Sequence, residues 1–483
     1  VFIRSLESHL DWPVIGTRDY LATQCQSDKA FTARFQSWMA EEMQWTFDPS
    51  NVEDWRSTLE RASRTLCYVF CNRAIFYEAI RARYPDTLRE LSMPKRYGSF
   101  EQVYDQFRDN FRQAVTETGD YEPIFYPHVN DWAGALVFAS SVARQGWAGV
   151  LTNLAQYNFR QIPHDIVGGI FQKLISPEER QKFGQYFTSQ DIVDIINSFC
   201  IRRAGDIVLD PACGSGSFLV RAYHRKAWLS EQRSGGRRNA AHHKHHQELL
   251  REVFGCDIAL FAAHLATLNL AARRIEHEEN YPYIARGNFF EVAEGRDAFC
   301  AIPSRRLLTG GSVIREHRPV VLPDLDAVVG NPPYVRQELI AKSDDIKRSR
   351  GEDRASYESR LKNTKEHMQH MCALAWPGLR LGGRSDLHCY FWPVAARMLK
   401  EGGYFGFLTS SSWLDVEYGF ILQRWILQYF KIVGVIESMD EPWFEDARIK
   451  TAITILQRCS DQKARDENVV KFVRLQRPVH EIL

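Results

Sequence analysis

At 483 residues the chain has room for two or three domains, and its formal net charge of +1 excludes a globally basic nucleic-acid binder. Apolar residues make up 45%, charged residues 25% and aromatics 12%, an ordinary globular composition with an aromatic bias. No apolar run reaches the roughly 18–20 residues that cross a bilayer, so no membrane partner is expected. The opening VFIRSLESHLDW has acidic and His residues where a signal peptide has an apolar core, so no export signal is read, and Val at position 1 fits a start inside a longer product.

Residues 1–165 are dense in Leu, Phe, Tyr, Trp, Arg and Glu and poor in glycine. The stretch SNVEDWRSTLERASRTLCYVFCNRAIFYEAIRARY repeats apolar residues at helical spacing, with Asn51 or Ser50 as its cap. An all-helical N-terminal domain is expected, and it holds no Asp…Glu-x-Lys pattern for nuclease chemistry. The ten cysteines run from Cys25 to Cys459 without paired spacing. Cys67 and Cys71 read as buried positions of one helix, not as half of a zinc site, and a reducing cytosolic compartment is the simple expectation.

The character changes past residue 165. From Ile207, the runs DIVLD, EVFGCDI, DAVVGNPPY, GYFGFLTSS, KIVGVIES and TAITILQ alternate with helical patterns. That alternation predicts an α/β fold with a doubly wound, mostly parallel sheet over residues 166–460. Three insertions interrupt it. Residues 221–251 carry eight Lys/Arg against two acids, residues 291–322 form a connection containing Gly and Arg, and residues 336–384 carry eleven Lys/Arg against seven acids. HHKHH at 242–246 reads as a solvated, partly charged helix end in preference to a metal site. Residues 461–483 are either a C-terminal extension or the start of a further domain.

IVLDPACGSGSFLVRAY (207–223) is a strand, a tight glycine turn and a helix. Gly214 and Gly216 permit φ > 0 and close approach of a ligand, beside free N–H groups at the helix start. Asp210 at the strand tip, followed by Pro211, suits a cationic ligand such as an amino group or a sulfonium and not a pyrophosphate. The Gly-Lys-Ser/Thr of a phosphate loop is missing. A purely structural turn is the plain alternative. In EVFGCDIALFAAHLATLNL (252–270), Asp257 ends the next strand where such sheets hold ribose hydroxyls, and Ile258 could pack on an adenine face; the alternative is a capping Asp. ARGNFF (285–290) brings Asn288 and Phe289 to a third strand end, where an amide oxygen could accept from an exocyclic amine.

The strand DAVVG stops on Asn331-Pro332-Pro333-Tyr334. Two prolines remove two N–H donors and fix φ, so the loop is rigid and its carbonyls are available. The Asn331 side-chain oxygen and the Pro332 carbonyl can together accept from both hydrogens of a planar –NH2, and Tyr334 offers a ring on which the same base stacks. No Cys adjoins a Pro, as carbon methylation of cytosine would require. A plain Pro-Pro turn does not account for strand end, amide and aromatic together.

In order, GQYFTSQ, DPACGSGSF, GCD, GNFF and GNPPY resemble the S-adenosylmethionine-dependent DNA adenine-N6 methyltransferases of the gamma arrangement, in particular restriction–modification methylases of the Eco57I type and type I modification subunits. The resemblance covers about residues 165–460. It implies a Rossmann-like methyltransferase sheet binding S-adenosyl-L-methionine. Tyr186, Phe187 and Thr188 would contact the cofactor, Asp210, Ala212, Gly214 and Gly216 would line its methionine end, Asp257 and Ile258 would meet the ribose and adenine, and Asn288 and Phe289 would meet the adenine. Asn331, Pro332, Pro333 and Tyr334 would be catalytic, with Phe444 a second ring facing a flipped-out adenine. The family often has Thr-Pro at Thr188-Ser189 and Asp at Asn288.

The expected reaction is a direct methyl transfer to adenine N6 in double-stranded DNA, without a metal, in the cytoplasm of a bacterium or archaeon. A specificity subunit or another defence-system subunit would be a partner. Methylation of another planar amine, as in release-factor glutamine or ribosomal guanine methylases, remains an alternative, as does a catalytically silent DNA-binding subunit. Relatives usually carry a target-recognition domain after the methylase, so residues 461–483 could be the start of one.

Overall fold

The computed structural model describes residues 2–43, 45, 47–118, 121–125, 131–159, 188–233, 242–274, 280–307, 313–337, 340, 361, 364–417, 419–439, 443 and 450–482. The chain divides into two units, Val1–Gln185 with Ala259–Tyr281, and Tyr186–Ile258 with Pro282–Leu483. The sequence reading put one boundary near residue 165. The chain instead returns to the first unit for residues 259–281 after entering the second.

The first unit is helical. Its longest element is Val52–Arg81, capped by Asn51, whose Oδ1 accepts from the N–H groups of Glu53 (3.0 Å) and Asp54 (3.1 Å). Cys67 and Cys71 are buried on this helix, as its periodicity predicted. Its core is aromatic: Phe70 meets the rings of Phe107, Phe138 and Trp147 at centroid distances of 5.1, 4.9 and 4.8 Å, near-perpendicular in each case. The helix Leu260–Ala271 also belongs here. It is buried on every side, and His264 Nε2 bonds the Ile124 carbonyl at 2.7 Å. An apolar residue on every face is the mark of a helix surrounded by protein.

The second unit is built on an eight-stranded sheet. Its strands in chain order are β1 (Val208–Asp210), β2 (Val253–Asp257), β3 (Tyr283–Arg286), β6 (Leu325–Gly330), β7 (Leu399–Ser410), β8 (Phe430–Ser438), β9 (Thr451–Arg458) and β10 (Lys471–Leu475). β4 (Cys300–Leu307) and β5 (Val313–Val320) form a separate antiparallel hairpin, where the sequence suggested only a connection. Sheet order is β10-β8-β9-β7-β6-β1-β2-β3. β3, β2, β1, β6 and β7 run parallel, β9 lies antiparallel between β7 and β8, and β10 is parallel to β8.

This is the doubly wound, mostly parallel α/β sheet read from the alternating pattern. Apart from Asp210, Asp257 and Asp326, the strands β1, β2 and β6 are apolar and largely buried, as expected of central parallel strands. The helix Gln190–Cys200 buries Ile192, Val193, Ile196 and Cys200 in the core that holds Val208, Ala327 and Val329. Winding reverses at β1, which has β2 on one side and β6 on the other. Ligands of such sheets bind beyond the carboxyl ends of the strands at this reversal.

Candidate active site

Beyond β1 the chain turns tightly through Gly214 (φ +53°) and Gly216 (φ +82°) into the helix Ser217–Arg233. Both angles lie in the left-handed region that glycine enters without a Cβ clash. The turn is pinned to β2: the Cys213 N–H donates to the Cys256 carbonyl (2.8 Å) and the Gly214 N–H donates to Asp257 Oδ2 (2.9 Å). The next helix has Ala259 at its N-cap position. Beside Asp257, the Ile258 side chain is 37% exposed at the strand end.

Asp210 is buried, and its Oδ1 accepts from the Ala212 N–H at 3.1 Å. Burial pushes its carboxyl up to about 8, and the neighbouring Asp257 charge adds to the rise against the opposing Ala212 hydrogen bond. A buried acid of this kind is relieved by a positive group placed against it.

The tip of β6 touches the tip of β1. A Cβ at Gly330 would stand 2.7 Å from Asp210 Oδ1, so any other residue there would force Asp210 to shift. The next residue, Asn331, donates its Nδ2 to Thr188 Oγ1 at 3.0 Å. Because one amide hydrogen is committed there, the orientation of the whole amide group is set by Thr188. Pro332 is buried. The Tyr334 hydroxyl donates to the Leu408 carbonyl on β7 (2.9 Å), and its ring lies 6.0 Å from that of His388. The tethered phenol fixes the plane of the ring, a reason for tyrosine over phenylalanine that only the fold exposes. His388 is fully buried, and burial lowers its imidazole to about 4, so it is neutral near pH 7.

The third strand end differs from its reading in detail. Asn288 caps the helix Phe289–Glu294, with its Oδ1 accepting from the Phe290 N–H at 3.1 Å. The Phe289 ring is buried and stacks on Phe391, centroids 5.7 Å apart, so it packs the core under the site. Among the expected site residues, Thr188, Asp210, Ala212, Gly214, Gly216, Asp257, Ile258, Asn331, Pro332, Pro333 and Tyr334 lie on the loops at the carboxyl ends of β1, β2 and β6 or touch them. Tyr186, Phe187 and Phe444 lie outside the described residues. His246 is buried against the Tyr223 hydroxyl, 2.8 Å from its Nδ1, and so is not a solvated position of the HHKHH segment; the other imidazoles of that segment are outside the described side chains.

Residues 163–380, which contain both loops, match the family model described as N-6 DNA Methylase. That match covers less than half of the chain. The chain is also similar to curated relatives. The type II methyltransferase M.XamI of Xanthomonas campestris pv. amaranthicola is 30% identical over 137 residues, 28% of this chain and 21% of that protein. The type II methyltransferase M.PaeR7I of Pseudomonas aeruginosa is 24% identical over 294 residues, 57% of this chain and 40% of that protein. The chain thus spans less than half the length of these relatives. A type I restriction-modification system methyltransferase subunit from Streptococcus thermophilus superposes with a TM-score of 0.52 at 14% identity, over 98% of this chain and 87% of that one, a likeness of fold.

Proposed function

We propose that the chain transfers the methyl group of S-adenosylmethionine to the N6 amine of an adenine turned out of double-stranded DNA, as the modification component of a restriction–modification or anti-phage system. The observation that carries this reading is the abutment of Gly330 on Asp210. It brings an acid-lined glycine turn and an Asn-Pro-Pro-Tyr loop side by side at the reversal of the sheet.

The residues present fit the cofactor. Asp210 is a buried acid awaiting a positive partner, and Asp257 ends the neighbouring strand. Gly214 and Gly216 leave the backbone open to a ligand. Once bound, S-adenosylmethionine supplies an electrophilic methyl group on a positively charged sulfur. Asn331 and the Pro332 carbonyl then accept from the two N6 hydrogens, which favours a directed lone pair on nitrogen, and Thr188 keeps the amide turned the right way. Tyr334 gives the unstacked base a fixed ring face, which offsets part of the few kcal/mol spent on flipping. The helical unit and the basic 221–251 and 336–384 segments are candidates for phosphate contacts, and a specificity or other defence subunit is a candidate partner. All ten cysteines are unpaired, in keeping with a reducing cytoplasm, and among the described residues no helix is long and apolar enough to cross a membrane.

Long-read sequencing of DNA from cells with and without the protein tests the reading. New N6-methyladenine in a fixed sequence context supports it. Asn331→Ala should lower methylation by about 10²–10³-fold while cofactor binding survives. Full activity of that variant, or methyl transfer only to protein or RNA, would sink the mechanism.

A further inference from the structure

Downstream of Tyr334 the chain leaves the site through Val335–Gln337, and later elements grip that exit. The Gln337 N–H donates to Asp386 Oδ1 (3.0 Å), and the Gln337 carbonyl accepts from Lys365 Nζ (2.8 Å). Lys365 Nζ also donates to the Gly383 carbonyl (2.8 Å), and the Leu387 N–H donates to the Val335 carbonyl (2.9 Å). Both backbone polar atoms of one residue are therefore held by side chains 28 and 49 positions away.

Each of these side chains works against its local preference. Asp386 is the N-cap of the helix Leu387–Ala396, where an aspartate ordinarily accepts from its own helix and contributes about 1 kcal/mol. It makes no such bond here and turns to Gln337 instead. Lys365 stands in the first turn of the helix Lys365–Ala375, the end at which the helix dipole disfavours a cation. It is only 5% exposed, although lysine is almost never buried without a partner. Helix formation asks for neither residue. What they have in common is the peptide three residues beyond Tyr334. The 336–384 segment reads as a basic insertion able to meet phosphates, yet this lysine points inward.

We propose that Lys365 and Asp386 are positioning residues for the Asn331–Tyr334 loop, a role that rests on the methyl-transfer reading above. The loop is tied at its start by Gly330 against Asp210 and by Asn331 to Thr188, in its middle by Tyr334 to Leu408, and at its exit by this pair. Release of the exit lets Tyr334 and the Pro332 carbonyl drift, and a displacement of about 1 Å costs on the order of 10²-fold in rate.

The test uses the full chain and four readouts: methyl transfer from labelled S-adenosylmethionine to duplex DNA, cofactor affinity by calorimetry, melting temperature, and amide exchange at residues 334–337. Asp386→Ala and Lys365→Met should lower kcat by about 10–100-fold with cofactor affinity unchanged, and speed exchange at 334–337 by about tenfold. Asp386→Asn keeps an acceptor oxygen and should stay within about threefold of the parent chain. Parental kcat and exchange in Asp386→Ala would overturn the proposal. So would a joint fall of kcat, cofactor affinity and melting temperature that Asp386→Asn does not rescue, since that is a general folding defect. Should Lys365→Met fail to fold, the Asp386 pair decides alone. If the parent chain transfers no methyl group to DNA, the reading of function fails by itself, and exchange at 334–337 still decides whether the exit is clamped.

Discussion

A carboxylate taken out of water is costly until a positive charge joins it, and Asp210 stands at the tip of β1 in that condition. Its folded carboxyl lies near 8, far above the ordinary 3.8, so the native chain holds a proton that the unfolded chain has released. Stability therefore falls as pH rises from about 4 to about 8 and levels off above, by on the order of a few kcal/mol for this group. Denaturation midpoints measured across that window should slope downward, and Asp210→Asn should flatten the slope. The same variant should lose cofactor affinity, whereas the affinity of the parent chain for a cationic cofactor should rise as pH approaches 8. At the touching strand tip, Gly330→Ala pushes a Cβ to 2.7 Å from Asp210 Oδ1 and should cost about 1–3 kcal/mol by denaturant titration. Thr188→Val removes the partner of the Asn331 amide and should cost about 1 kcal/mol in kcat, roughly fivefold, while Thr188→Ser restores it. Asp210, the two glycines and Asn331 were legible as chemistry because each announces itself within a few residues. The Thr188–Asn331 bond was not, since it spans 143 positions and exists only once the sheet is built.

Among the elements, the helix Val52–Arg81 was readable from apolar spacing and a capping Asn51, both local signals. Its buried polar pair was not. Arg73 donates to Asp131 Oδ2 (2.7 Å) and to the Tyr104 hydroxyl (2.9 Å), and that hydroxyl also bonds Asp131 (2.5 Å). Asp131→Ala would leave the Arg73 guanidinium buried without its counter-charge. The loss should be about 3–5 kcal/mol, visible as a lowered melting temperature of the helical unit. The hairpin of β4 and β5 escaped the sequence because Arg305, Arg306, Arg315, Glu316 and Arg318 break the apolar pattern that marks a strand. The helix Leu260–Ala271 was legible as the helix after β2, but its surroundings were not. Its pattern says that it is buried all round but not what buries it, and the covering helices come from the first unit.

For the whole molecule, the net charge of +1 sets a test for the nucleic-acid partner. If local basic segments grip phosphates, the logarithm of duplex affinity should fall linearly with the logarithm of salt, by roughly 0.9 per phosphate contacted. A flat response would remove those segments from DNA binding. Binding titrations at several salt concentrations decide it.

The sequence by itself determined that a helical part precedes an alternating strand-and-helix part, which strands end in an acid, a glycine turn or Asn-Pro-Pro-Tyr, and which family these motifs resemble. Each of these is written in periodicity and side-chain chemistry over a few neighbouring residues. Only the tertiary structure decided that β6 pairs with β1, that a helix following β2 joins the other unit, and that Lys365 and Asp386 hold Gln337. Strand order and contacts between distant positions follow from how buried faces pack against one another, and no short stretch of chain carries a record of that.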